Sequence, residues 1–178
     1  MRVAVDAGHG GGDPGAMYMD GVEKDIALMY AAYLHGILEA RGHSPYLIRS
    51  DDTYIYPSHR AAMANQANSD VFVSLHCNSH AGQPETARGV EVLHFPSSVP
   101  GLFLAKTILS RWPKVLPNRG AKPRGDLAVL KFTRMPAVLV ELAFINHSDD
   151  LALLKSDAYR TEACFVIADA LEEYGGLI

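Results

Sequence analysis

The sequence is short of nearly every feature that would place it in a special class. Only two cysteines occur in 178 residues, Cys77 and Cys164, too few for a disulfide framework, and both read as buried thiols. No apolar run is long enough to span a bilayer, which excludes membrane insertion. Positive charge is not in surplus: the formal net charge is -4, so a general nucleic-acid binder is excluded. No charged leader with an apolar segment and a small-residue cleavage site precedes the first strand-like run, so no signal peptide is expected. Repeats, low-complexity tracts and interdomain linkers are also missing. Residues 1–178 therefore read as one domain, long enough to bury a core without staples.

What is present is an alternation of short apolar runs with helical patterns. Strand-like runs fall at 2–6, 45–49, 71–76, 90–95, 127–130 and 137–142. Between them, helical spacing marks 23–41, 58–67, 101–112 and 157–174, the first carrying Ile26, Tyr30, Tyr33, Leu34, Ile37 and Leu38 on one face, with Gly42 at the expected left-handed cap. The stretch from Pro113 to Asp126, with three prolines and interspersed Arg and Lys, reads as a surface loop. Strands alternating with helices predict an α/β fold: a mostly parallel twisted sheet of about six strands with helices on both faces.

The chemistry is concentrated at strand ends. RVAVDAGHGGGDPGA, from Arg2 to Ala16, ends an apolar run in glycines around His9, but it lacks the lysine and hydroxyl of a nucleotide-binding loop, and no helix follows at once. In VFVSLH, a period of two puts Phe72, Ser74 and His76 on one face, with His76 at the carboxyl end of the run. Ligands bind at that edge of open α/β sheets, so two imidazoles distant in sequence can converge there. Glu23 completes two histidines and a carboxylate, the donor set of a catalytic zinc that keeps a fourth position for water. The competing reading of Glu23 is a helix-start anion, because Asp20 precedes it by three residues. His80 and His94 are the other imidazoles to weigh, while His35, His43, His59 and His147 show no convergence. Glu141 interrupts the apolar AVLVELAF. It is either a salt-bridge partner of Arg134 or Arg119, or a general base beside a metal.

The segments DAGHGGGDPGA, GVEKDIAL, ANQANSDVFVSLHCNS, RGVEVLHF and MPAVLVELAFINHSDD, in that order, resemble the motif series of the zinc-dependent N-acetylmuramoyl-L-alanine amidases of the amidase-3 type. The resemblance spans almost the whole chain. It implies one Zn2+ per chain held by His9, Glu23 and His76, with Glu141 as the catalytic carboxylate. It also implies bacterial peptidoglycan as the substrate, cut between N-acetylmuramic acid and the first L-alanine of the stem peptide. Ala7, Cys77, Ala143 and His147 depart from the usual family residues, and none removes a ligand. Strand alternation turns Cys77 away from the metal face. The rival readings are a zinc peptidase cutting within the stem peptide and a non-catalytic wall-binding module. A monomer acting on the cell wall, in the periplasm or outside the cell, is expected. With no visible signal peptide, that implies a phage lysin made in the host cytoplasm or a chain trimmed of its leader.

Overall fold

The computed structural model describes residues 1–176. The chain begins with β1 (Arg2–Ala7), followed by a small hairpin of β2 (Met17–Tyr18) and β3 (Gly21–Val22) that leads into α1 (Glu23–Ala40). Then come β4 (Ser44–Leu47), α2 (Pro57–Gln66), β5 (Val71–Asn78), β6 (Val90–His94), α3 (Val99–Arg111) and β7 (Asn118–Pro123). The last elements are α4 (Ala128–Lys131), β8 (Ala137–Phe144), α5 (Ser148–Leu154) and α6 (Asp157–Gly175). Six strands form one sheet in the order β4-β1-β5-β8-β6-β7. The first four run parallel; β6 is antiparallel to β8, and β7 follows β6 in parallel.

Alternation along the strands builds two layers of core. Val3, Val5, Val71, Val73, Val138 and Val140 pack toward α1, α3 and α6. Ala4, Phe72, Ala137 and Leu139 pack on the opposite face, toward Ala64 of α2 and Val129 and Leu130 of α4. With both faces covered, the central strands carry nearly continuous apolar runs, and each fully buried Val or Leu contributes roughly 1.5–3 kcal/mol. Tyr30 of α1 is fully buried, and its hydroxyl donates to the Leu154 carbonyl at 3.1 Å.

Three local expectations are overturned. Leu127–Leu130 is not a strand: Leu127 is the extended cap of α4, whose Val129 and Leu130 are buried under the sheet. Periodicity cannot separate strand from helix in so short an apolar run, and the places beside β8 are already taken by β5 and β6. The supposed loop at 113–126 instead supplies the edge strand β7. That strand pairs on one side only and remains partly exposed, so NRGAKP carries no apolar alternation to betray it. Nor does Asp20 start α1. Val22 occupies the cap without a side-chain bond, and Asp20 pairs with Lys155 instead.

Candidate metal centre and catalytic cleft

His9 lies just beyond the carboxyl end of β1, in a loop closed by reciprocal amide-to-carbonyl bonds between Gly10 and Asp13 at 3.0 and 3.1 Å. Its φ of 59° is left-handed, an uncommon conformation for a side chain larger than glycine, of the kind that persists where surrounding contacts over-determine it. Those contacts come from two arginines. Arg60 donates to the His9 and Ala7 carbonyls and, at 2.8 Å, to Asp6 Oδ1. Arg49 donates to the carbonyls of Ala7 at 2.9 Å and Gly8 at 2.7 Å. Gly8 is required by its neighbour: a Cβ there would lie 2.3 Å from the His76 ring.

The second histidine is carried by β5, one register step from β8, where His76 pairs with Glu141. Glu23, the first residue of α1, sits between the imidazoles. Its Oε1 lies 3.0 Å from His9 Nε2 and 2.9 Å from His76 Nδ1, and also accepts the Cys77 amide at 3.1 Å. Its Oε2 accepts the Ala16 amide at 2.8 Å. The two rings meet edge to face, with centroids 4.9 Å apart. Asp13 Oδ2 accepts from His9 Nδ1 at 2.9 Å, which leaves Nε2 for the shared point.

The ligand atoms of His9, Glu23 and His76 all lie within 4.8 Å of one another, so this group can hold a metal ion. Two imidazole nitrogens, one carboxylate oxygen and an outer carboxylate that orients the first histidine match the chemistry of an open zinc site. Burial of Glu23 opposes its charge, yet hydrogen bonds and attraction from His76 and His9 hold its carboxyl well below the usual range. Burial likewise opposes protonation of His9, but Glu23 and then Asp13 outweigh it and raise the imidazole's pKa.

Glu141 Oε2 is buried and has no hydrogen-bond partner among the described residues. Desolvation is the main reason its carboxyl is pushed up to about 7. Among the described residues no salt bridge reaches it. Arg119 instead pairs with Glu91 at 3.0 Å, and the Arg134 amide bonds Asn65 at 2.9 Å. Glu91 is the register partner of Glu141 on β6, and Lys122 binds the same Glu91 oxygen as Arg119, at 2.6 Å.

The remaining candidates stay apart. His94 pairs in register with Val138, near the start of β8 and far from Glu141, because β6 runs antiparallel; its Nδ1 meets the Phe95 carbonyl at 3.0 Å. The His80 ring is occupied in its own exposed loop by the Gly82 amide at 3.0 Å. Cys77 packs in the α1 layer on the face opposite His76, and burial raises its pKa far above the ordinary thiol value, making it inert. Asp13, Arg49 and Arg60, which orient the His9 loop, were not identified from the sequence. For Arg60 alone there was a signal, that an acid ending an apolar strand, Asp6, needs a cation when buried.

A cleft of about 280 Å³ opens beside the histidines, walled by Tyr54, Ile55 and Arg60 on one side and by Asp126, Leu127 and Val129 on the other. Such a concave site, apolar with a few converging polar groups, is where a ligand fits.

The architecture has close counterparts. An N-acetylmuramoyl-L-alanine amidase from Clostridium difficile 630 superposes with a TM-score of 0.92 at 30% identity, covering 98% of this chain and 96% of that one. N-acetylmuramoyl-L-alanine amidase AmiC2 of Nostoc punctiforme gives 0.91 at 30% identity, over 99% and 97% of the two chains. In sequence, YqiI of Bacillus subtilis is 36% identical over 177 residues, 97% of this chain and 84% of that protein. The endolysin of Bacillus phage SPP1 is 38% identical over 179 residues, 96% of this chain and 65% of the endolysin. The N-acetylmuramoyl-L-alanine amidase LytC of Bacillus subtilis is 32% identical over 176 residues, and this chain spans only 35% of its length. The family model described as N-acetylmuramoyl-L-alanine amidase matches residues 3–173, and with nearly every residue inside that match the chain belongs to the N-acetylmuramoyl-L-alanine amidase family.

Proposed function

We propose that residues 1–178 form a single catalytic unit, a monomeric zinc-dependent hydrolase of bacterial peptidoglycan. It cuts the amide between the lactyl group of N-acetylmuramic acid and the L-alanine that begins the stem peptide. The observation that carries this reading is the convergence of His9 Nε2, His76 Nδ1 and Glu23 Oε1 beside a carboxylate, Glu141, whose Oε2 is left without a partner. A structural zinc is usually closed by four protein ligands, whereas three with a free carboxylate suit turnover, which disfavours a pure wall-binding module.

Bound by His9, Glu23 and His76, zinc would supply a Lewis acid for the amide carbonyl and ease the ionisation of water. The rest is done by the chain. Asp13 keeps His9 Nε2 turned toward the site, and the Ala16 and Cys77 amides hold the Glu23 carboxylate in place. Glu141 accepts the proton of the attacking water as the new C–O bond forms, then returns it to the departing nitrogen as the C–N bond breaks. The products are a lactyl carboxylate on the glycan and a free L-alanine amine.

Mass spectrometry of digested peptidoglycan tests the bond. Intact stem peptides with free L-alanine amino ends are expected, with glycan strands left whole. Truncated peptides would instead identify a peptidase cutting within the stem. The site of action is the bacterial cell wall.

A further inference from the structure

The end of the β4–α2 connection and the first turn of α2, DDTYIYPSHR, expose their rings: Tyr54 is 41% and Tyr56 60% accessible. Single exposed aromatics are ordinary, but these form a row. Tyr54 and Tyr56 meet edge to face with centroids 5.0 Å apart, and Tyr56 and His59 do the same at 5.6 Å. The row is also rigidly joined to the metal loop. Arg60 donates to the Ile55 carbonyl at 2.8 Å with the same guanidinium that binds His9 and Asp6. The Tyr56 carbonyl accepts the His59 and Arg60 amides at 2.9 and 3.1 Å. A Cβ on Gly11 would lie 2.8 Å from the Tyr54 nitrogen, so the two backbones are in direct contact.

Tyr54 and Ile55 line the catalytic cleft and also an adjoining hollow of about 440 Å³, formed with Tyr56, His59, Ala62 and Met63. That hollow shares Tyr54 and Ile55 with the cleft, and its lining holds phenol, imidazole and amide groups but no carboxylate, guanidinium or ammonium. The opposite side of the site differs in kind. There Arg119 and Lys122 of β7 flank Glu91, the register partner of Glu141. The site is therefore uncharged and aromatic at one end, and at the other it sets two cations, Arg119 and Lys122, against the single carboxylate Glu91.

We propose that Tyr54, Tyr56 and His59 form a platform for the sugar strand, with pyranose rings stacked on the row while the scissile amide lies at His76 and Glu141. This rests on the peptidoglycan reading and adds a direction to it. A pyranose is uncharged and presents weakly positive C–H bonds on its faces, which suit the negative face of an aromatic ring. The stem peptide carries carboxylates, and these are drawn to the β7 side. A substrate with sugars on one side of the amide and carboxylates on the other thus has one favoured orientation.

The test titrates a β-1,4-linked N-acetylglucosamine tetramer into the full chain, read by saturation transfer to the sugar C–H protons. The wild type is expected to bind, Tyr56→Ala to weaken binding about tenfold, and Tyr56→Phe to retain it, because the ring face and not the hydroxyl makes the contact. A free tripeptide, L-alanyl-D-glutamyl-L-lysine, should bind Tyr56→Ala as it binds the wild type. In turnover of peptidoglycan, Tyr56→Ala should raise KM and leave kcat in place. Absence of saturation transfer in the wild type, or equal tetramer binding in Tyr56→Ala, would overturn the platform. So would a loss confined to the tripeptide. Because tetramer binding is read without turnover, it can fail while amidase action stands, and amidase action can fail while the sugar still binds.

Discussion

His76 and Glu141 are register partners on the adjacent parallel strands β5 and β8, and alternation turns both toward the face that carries Asp6 and Ser74. One side chain belongs to the proposed metal group, while the other has a buried oxygen with no partner. The ladder that joins them therefore sets the spacing between ligand and base. Glu141→Gln should lower turnover by roughly 10²–10⁴ while zinc content and fold persist. Dye release from labelled peptidoglycan, paired with metal analysis, separates these effects; near wild-type turnover in this variant would remove Glu141 from the mechanism.

The same carboxylate makes the metal-free protein sensitive to pH. Its folded pKa is raised from an ordinary 4.5 to about 7, so between those values the native state binds the extra proton. Its contribution to stability is therefore full below about 4.5 and is lost as pH rises through about 7. Against metal-free wild type, Glu141→Gln should melt alike at pH 4 but be more stable at pH 8, by about 1–3 kcal/mol. Thermal unfolding of both proteins after chelation measures the difference, and a constant gap across pH would contradict the assignment.

About one zinc per chain is expected, and chelation should abolish lysis reversibly. Glu23→Gln should weaken metal affinity. Asp13→Ala should also do so, by roughly 10–100-fold, because His9 loses the carboxylate that fixes its tautomer. His80→Ala and His94→Ala should keep their metal, since neither ring faces the group. Competition with a chromogenic chelator reports all of these.

Arg60 should matter more for stability than its distance from the reaction suggests. Its partner Asp6 is fully buried and otherwise keeps, among the described residues, only the Ser74 hydroxyl, at 2.7 Å. Arg60→Met leaves that carboxylate unpaired, at a cost of about 3–5 kcal/mol in urea unfolding. Asp6→Asn combined with Arg60→Met should recover part of the loss, because no buried charge is then left over.

The candidate metal group was legible because each member sits at a feature that sequence displays: His9 and His76 at strand ends, and Glu23 just after the glycine loop. Its outer shell was not. Asp13, Arg49 and Arg60 lie in stretches whose polarity is ordinary for loops and helix starts, and only the closed His9 loop gives their side chains a common target. The β7 strand was hidden for a related reason, since an edge strand half open to water has no need of apolar alternation.

By itself the sequence determined the α/β alternation, the face of β5 that carries His76, and the residues able to bind a metal, because burial imposes a period that can be read along the chain. Only the tertiary structure decided which way β6 runs, that Arg119 serves Glu91 and leaves Glu141 unpaired, and that the Tyr54 row adjoins the cleft. Those outcomes depend on which strands become neighbours and in which register. That choice is made by long-range packing of the whole sheet, where no local period records it.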